Sequence, residues 1–292
     1  MTNDMNALLT ELLIPFQYGY MLKAMWVSAL VGGVCAFLSA YLMLKGWSLM
    51  GDALGHSIVP GVAGAYILGA PFAVGAFFAG ILASVAMNFV KQKSRLREDA
   101  VIGLVFTALF ALGLLMASIW PTSVSIQSIV LGNILAIADE DVVQVAIIAG
   151  VSLVILLLVW KDMMVTFFDE SHARSIGINT TFLKGLFFTL LSACTVAALQ
   201  TVGACLVIAM VVTPGATAYL LTDRFGRLII ISVALGVTTS FTGAYISYFL
   251  DGATGGVIVC LQTLLFLIAF FLAPKHGVLA ARRRIEAIEA AA

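Results

Sequence analysis

Residues 48–61 read Ser48-Leu49-Met50-Gly51-Asp52-Ala53-Leu54-Gly55-His56-Ser57-Ile58-Val59-Pro60-Gly61, and the two ionisable side chains among them decide the fold. Asp52 and His56 stand four residues apart in an otherwise apolar stretch, Leu49 to Leu68. Four residues is just over one helical turn, so both side chains leave one face of a helix, with Ser48 on the same stripe. A carboxylate and an imidazole inside a membrane span are costly, and such groups mark ion pathways. Together they offer one oxygen and one nitrogen donor, a set suited to Mn²⁺, Fe²⁺ or Zn²⁺. Asp52 and His56 are therefore the candidate metal ligands. Two ligands are too few for a tight site, and an equivalent pair from a second chain would make four. Gly51 and Gly55 repeat at the same interval, which permits close approach of a neighbouring helix. Counted along a helix from Lys45 at about 1.5 Å per residue, His56 lies roughly 16 Å in. That is near the midplane of a hydrocarbon core about 30 Å thick.

The remainder of the chain agrees that this stretch spans a membrane. Of 292 residues, 62% are hydrophobic and 10% charged, and the mean hydropathy is +1.11. Soluble domains carry about 25% charged residues, so the composition defines an all-α polytopic membrane protein. The 15 basic and 15 acidic residues cancel, which excludes a strongly basic nucleic-acid binder. Cys35, Cys194, Cys205 and Cys260 lie singly in apolar runs, an arrangement that argues against disulfides and a thiolate metal site. Asp4 and Glu11 with no basic flank argue against a cleavable signal at the N-terminus.

Apolar runs of about 20 residues fall at 20–44, 49–69, 71–90, 99–119, 142–160, 181–200, 202–221, 228–250 and 254–273. Pro60 and the glycines around it make interruption of the second run plausible, so the expectation is eight or nine spans in one transmembrane domain covering 1–292. Lys91, Lys93, Arg95 and Arg97 crowd one loop; Lys275, Arg282, Arg283 and Arg284 crowd the tail 275–292. The positive-inside rule makes both cytoplasmic. The 162–180 loop then lies inside and Asp139-Glu140-Asp141 outside; the N-terminal segment 1–19 falls outside if there are nine spans, and its side stays open if there are eight. Pro121 to Ala138 is too polar to span and too long for a turn, which predicts an outer interfacial or re-entrant helix.

Two further segments stand out. Phe167-Phe168-Asp169-Glu170-Ser171-His172-Ala173-Arg174-Ser175-Ile176-Gly177-Ile178 reads as a polar helix capped at Gly177. Such a helix either docks into a cytosolic partner or is a solvated connector; His172 is read as a solvated loop histidine. Thr213-Pro214-Gly215 lies in an apolar run, where proline removes a backbone hydrogen bond and the Thr213 hydroxyl can take up part of the loss. These three residues are a candidate hinge. Gln200 and Gln262 are candidates for lining a polar path. No Gly-x-x-x-x-Gly-Lys-Ser/Thr loop, His-Glu-x-x-His or Gly-x-Ser-x-Gly motif occurs, so ATP is not bound by a phosphate loop on this chain.

The block Tyr41-Leu42-Met43-Leu44-Lys45-Gly46-Trp47-Ser48-Leu49-Met50-Gly51-Asp52-Ala53-Leu54-Gly55-His56, continuing to Val59-Pro60-Gly61, closely resembles the ABC-3 family. These are the membrane permeases of manganese, iron and zinc ABC importers, and the nearest branch is the Yfe/Sit type for chelated iron and manganese. Asp169-Glu170 with Ala173-Arg174-Ser175-Ile176-Gly177 resembles the family's cytoplasmic loop. Val202-Gly203-Ala204-Cys205-Leu206-Val207-Ile208-Ala209 with Thr213-Pro214-Gly215-Ala216-Thr217-Ala218 resembles its late core. The likeness runs over residues 12 to 275. The family usually has Ser before the histidine, where this chain has Gly55.

The resemblance implies a permease of the bacterial inner membrane, paired with an identical or similar permease chain. Cytosolic ATP-binding subunits and a periplasmic metal-binding protein complete the assembly. It makes Asp52 and His56 transient ligands of a transported Mn²⁺, Fe²⁺ or Zn²⁺, with no permanently bound cofactor. Asp169, Glu170, Ala173, Arg174 and Gly177 become the ATPase-coupling contact. Two other functions are compatible with the residues alone: a permease for an organic metal chelate, such as a siderophore or cobalamin, and an intramembrane enzyme using Asp52 and His56.

Overall fold

The structure, a computed structural model, describes residues 11–47, 49–70, 72–120, 137–273 and 277–279. The readings of 1–10, of Ser48, of most of the Pro121–Ala138 segment and of most of the basic tail lie outside the described residues. So do the side chains of Asp52 and Gln200.

Every described regular element is a helix: α1 (Gly19–Lys45), α2 (Met50–Ser57), α3 (Val59–Leu68), α4 (Phe72–Lys93), α5 (Glu98–Ile119), α6 (Asp139–Phe168), α7 (Glu170–Ser175), α8 (Thr180–Val202), α9 (Ala204–Leu221), α10 (Phe225–Leu250) and α11 (Thr254–Leu272). Seven of them are long and apolar enough to cross a bilayer; α2 with α3, and α9, supply two shorter apolar passages. This matches the expected spans, with one correction. The second run is not one helix: it divides at Ile58, and Gly46 in the left-handed region (φ 73°) ends α1 before α2 begins. The depth of His56 counted along a continuous helix from Lys45 therefore does not hold.

The first helix is the innermost. From Met21 to Leu42 most of α1 is buried, packed chiefly against α9 and α10. A Cβ built on Gly32 would lie 2.7 Å from the Gly236 carbonyl oxygen, and one on Gly236 would lie 2.4 Å from that of Gly32. Lipid tails are as apolar as leucine, so helices in a bilayer associate through close packing and interhelical hydrogen bonds instead of apolar burial from water. Both occur here: Ser232 on α10 donates its hydroxyl to the Ala36 carbonyl of α1 at 2.7 Å. Below this crossing, Tyr41 sits among the rings of Phe167, Phe187 and Phe225 and donates to the Trp160 carbonyl at 2.9 Å.

Two contacts link helix ends in the manner the charge pattern requires. Lys23, near the start of α1, pairs with Asp139 at the start of α6, so two ends assigned to the outside lie side by side. Lys91, near the end of α4, sits over the Trp47 ring, 5.6 Å from its centroid, joining two ends assigned to the inside. A short helical stretch at 11–17 is tied to α10 by a hydrogen bond from the Tyr245 hydroxyl to the Leu12 carbonyl.

Candidate functional site

The helix carrying Asp52 and His56 is broken by its own sequence. Pro60 lacks the N–H an uninterrupted helix would use, and it falls at the first turn of α3, where that donor is not needed. α2 therefore ends at Ser57 and α3 starts at Val59. His56 stands in the last turn of α2, with the Asp52 position one turn earlier.

Four helices pack around this joint, α4, α5, α8 and α9, and two of them flank the His56 turn. On one side Gly51 fits against α9: a Cβ there would meet Val211 Cγ1 at 2.8 Å. Gly55 leaves more room, its added Cβ finding only Ile208 Cγ1 at 3.9 Å. The small-residue interval in the sequence is thus a helix–helix contact, tight at one glycine and loose at the next. On the other side α5 presents a stripe. Phe106 and Phe110 lie against the half-buried His56 ring, with centroids at 5.6 and 5.3 Å. One turn on, Gly113 abuts the joint, its added Cβ 2.7 Å from Val59 Cγ1 and 2.8 Å from the Pro60 nitrogen. The two phenylalanines were not singled out in the sequence, because an i, i+4 aromatic pair in an apolar span has no distinguishing pattern. Among the described residues no three His, Cys, Asp or Glu side chains gather as a metal-binding group.

The candidate hinge is built differently. α9 continues through Pro214, whose missing N–H would have bonded the Met210 carbonyl, and a side chain of α1 braces the same turn. The Ser39 hydroxyl of α1 donates to the Val212 carbonyl at 3.1 Å and accepts from the Gly215 N–H at 3.0 Å. Gly215 is required by that approach, since a Cβ would fall 2.7 Å from the Ser39 carbonyl oxygen. Gln262 is buried on α11 and donates to the Thr239 hydroxyl at 3.1 Å.

The 162–180 loop forms α7 as its sequence predicts. Asp169 caps it, its carboxylate accepting from the N–H groups of Ser171 (2.9 Å) and His172 (3.0 Å). Gly177 takes the left-handed conformation (φ 84°), donating its N–H to the Arg174 carbonyl while Ile178 donates to that of Ala173. Ala173 is fully buried, so α7 rests on the membrane helices. Glu170 ties it there, with one carboxylate oxygen 2.6 Å from Arg174 and the other 2.5 Å from Lys184 of α8. Partial burial pushes the Glu170 carboxyl up, but the hydrogen bonds and charges of Lys184 and Arg174 outweigh it and hold it below the ordinary carboxylate range. His172, Phe168 and Ile176 are left exposed around α7.

An all-helical bundle with a broken, histidine-bearing apolar element and a capped loop helix tied to the core defines a multi-pass membrane permease. The ABC 3 transport family matches residues 17–273, and the chain belongs to that family. The chelated iron transport system membrane protein YfeC of Yersinia pestis is 72% identical over 277 residues, covering 95% of this chain and 94% of that one. The manganese transport system membrane protein MntB of Synechocystis sp. is 49% identical, covering 91% and 87%. Among solved structures, PsaBC from Streptococcus pneumoniae in complex with Fab superposes with a TM-score of 0.83 at 34% identity, covering 94% of this chain and 99% of that one. The protein is a transport permease of the bacterial inner membrane.

Proposed function

We propose that this permease passes a divalent transition metal ion, Mn²⁺, Fe²⁺ or Zn²⁺, into the cytoplasm. The ion binds transiently between Asp52 and His56 of this chain and the equivalent pair of a second permease chain, identical or similar. The observation that carries this reading is the placement of the imidazole at the last turn of a broken helix, half-buried and flanked by aromatic rings, in a family of transporters. Relatives named for manganese and for chelated iron support the substrate class. A neutral imidazole and an ionised carboxylate suit first-row divalent ions, and raw affinity would favour zinc over the other two.

ATP is hydrolysed on cytosolic partner subunits, which grip α7 through its exposed rim. A periplasmic metal-binding protein delivers the ion from outside. Asp169 and Gly177 fix the two ends of α7, Ala173 seats it, and Glu170 with Arg174 carries its displacement to α8. The Thr213-Pro214-Gly215 turn of α9 is where that movement reaches the helix beside Asp52.

The test is uptake of radiolabelled Mn²⁺, Fe²⁺ and Zn²⁺ by membranes carrying the full complex, comparing the native protein with Asp52→Ala and His56→Ala. Each variant should still assemble and hydrolyse ATP, yet lose uptake by roughly tenfold or more, since loss of even the outer-shell partners of metal ligands costs about 10–100-fold. Undiminished uptake by an assembled complex would overturn the ligand assignment.

A further inference from the structure

The helices α4 and α8 touch in mid-membrane and part towards the cytoplasm. At the contact, a Cβ on Gly80 would lie 2.9 Å from the Ser192 hydroxyl. Nearer the cytoplasmic ends, a Cβ on Gly185 would meet nothing within 4 Å. Between them is a cleft of about 270 Å³ whose lining includes Ile81, Val85, Asn88, Lys184, Gly185 and Phe188, and which Glu170 and Arg174 border at the mouth. From Ile81 to Asn88 it runs about 10 Å along α4.

The chemistry of the cleft changes along that length. Ser84 and Thr189 also line it, but their hydroxyls are spent on their own helices, donating to the Gly80 and Gly185 carbonyls at 3.0 and 2.9 Å. The deep part is therefore effectively apolar. The mouth is cationic: Arg174 and Lys184 share the single carboxylate of Glu170, which leaves one net positive charge. Each cation also keeps donors in reserve. Lys184 has three and Arg174 five, and the bonds to Glu170 and from Arg174 Nε to Thr180 use only some of them. Leu82, Phe89 and Phe182, each next in sequence to a residue lining the cleft, are exposed and apolar, so the helix surfaces beside it suit acyl chains. A free anion would meet the mouth alone; an amphiphile fits both ends.

We propose that this cleft binds an anionic phospholipid of the cytoplasmic leaflet, the headgroup phosphate at Lys184 and Arg174 and the upper acyl chain along Ile81, Val85 and Phe188. Basic pockets between helices on the cytoplasmic side are the usual seats of such headgroups. The bound lipid would stand directly behind α7. The binding itself depends neither on the metal ligands nor on the coupling role of α7.

The test is native mass spectrometry of the full-length permease, purified with its partner subunits, stripped of lipid and titrated without ATP. The probes are phosphatidylglycerol, phosphatidylethanolamine with the same acyl chains, and inorganic phosphate as competitor. Phosphatidylglycerol should bind about fivefold more tightly than phosphatidylethanolamine, the worth of roughly one basic contact at the membrane surface. Lys184→Gln should erase that preference. Gly185→Leu, which has open space around it and disturbs no charge, should lower retention of phosphatidylglycerol by a similar factor. Equal binding of the two lipids, unchanged binding by Gly185→Leu, or displacement of phosphatidylglycerol by inorganic phosphate would each overturn the proposal. The last would mark a site for a soluble anion.

Discussion

Pro60 and Pro214 lie in comparable surroundings, each inside an apolar passage and each next to a glycine, yet the chain treats them in opposite ways. At Pro60 the passage separates into α2 and α3, and α5 closes on the joint through Gly113. At Pro214 the helix continues, and the Ser39 hydroxyl bridges the carbonyl of Val212 and the N–H of Gly215. A proline in a span thus does not by itself decide between break and continuity; the neighbouring helix does. The two outcomes divide the molecule into a stapled scaffold, α1 with α9 and α10, and a jointed wall where the histidine stands.

The sharpest way to break this comparison is at Gly215. A side chain there would enter the backbone of α1 at Ser39, so Gly215→Leu should prevent recovery of a monodisperse folded permease on size-exclusion chromatography. Overpacking of this kind costs about 1–3 kcal/mol or more. Ser39→Ala comes next. It removes both bonds of the staple, each worth about 0.5–1.5 kcal/mol, and should destabilise the protein by about 1–3 kcal/mol in a thermal melt of the detergent-solubilised chain. Combined with Pro214→Ala, which returns a backbone donor, the loss should shrink by 0.5 kcal/mol or more, roughly the smallest coupling such cycles resolve. Strictly additive losses would show that the serine does not brace the proline turn.

A smaller effect distinguishes the scaffold from the polar end of the protein. The Ser39 staple contains no titratable group, so its contribution is independent of pH. The Glu170 carboxyl is held below its unfolded value by Lys184 and Arg174. Its contribution is complete above the ordinary carboxylate range and is lost as pH falls through the lowered folded value. Melting of the native permease should therefore drop at acid pH by a small amount that Glu170→Gln removes, small because the pair is partly solvated. Smallest of all should be Gly55→Ser. Its Cβ meets only Ile208 at ordinary contact distance, so stability should change by less than about 0.5 kcal/mol. A large loss would mean that the room beside Gly55 is needed by the fold.

Much of this architecture was legible in the sequence. Spans announce themselves because a bilayer demands about 20 apolar residues. The loop helix was readable because Asp169 and Gly177 are cap residues with a local mechanism. What the sequence concealed was long-range. Nothing near Pro214 points to Ser39, which lies 175 residues earlier in the chain, and Thr213 was the only hydroxyl local reasoning could nominate. Nor does the run 49–69 reveal that Phe106 and Phe110 will face His56. The break at Ile58 lay between these cases: Pro60 signalled it locally, while its consequence for the depth of His56 required the fold.

The burial of α1 has a consequence for biogenesis. This helix leaves the ribosome well before its main partner α10, which does not begin until Phe225. At synthesis rates of about 5–20 residues per second, some 180 residues of delay is roughly 10 to 40 s. For that interval Ser28, Ser39 and the bare backbone at Gly32, all destined for the interior, have no native neighbour from the C-terminal half. The innermost part of the finished permease is the part that must wait longest, and the insertion machinery or the lipid has to hold it meanwhile.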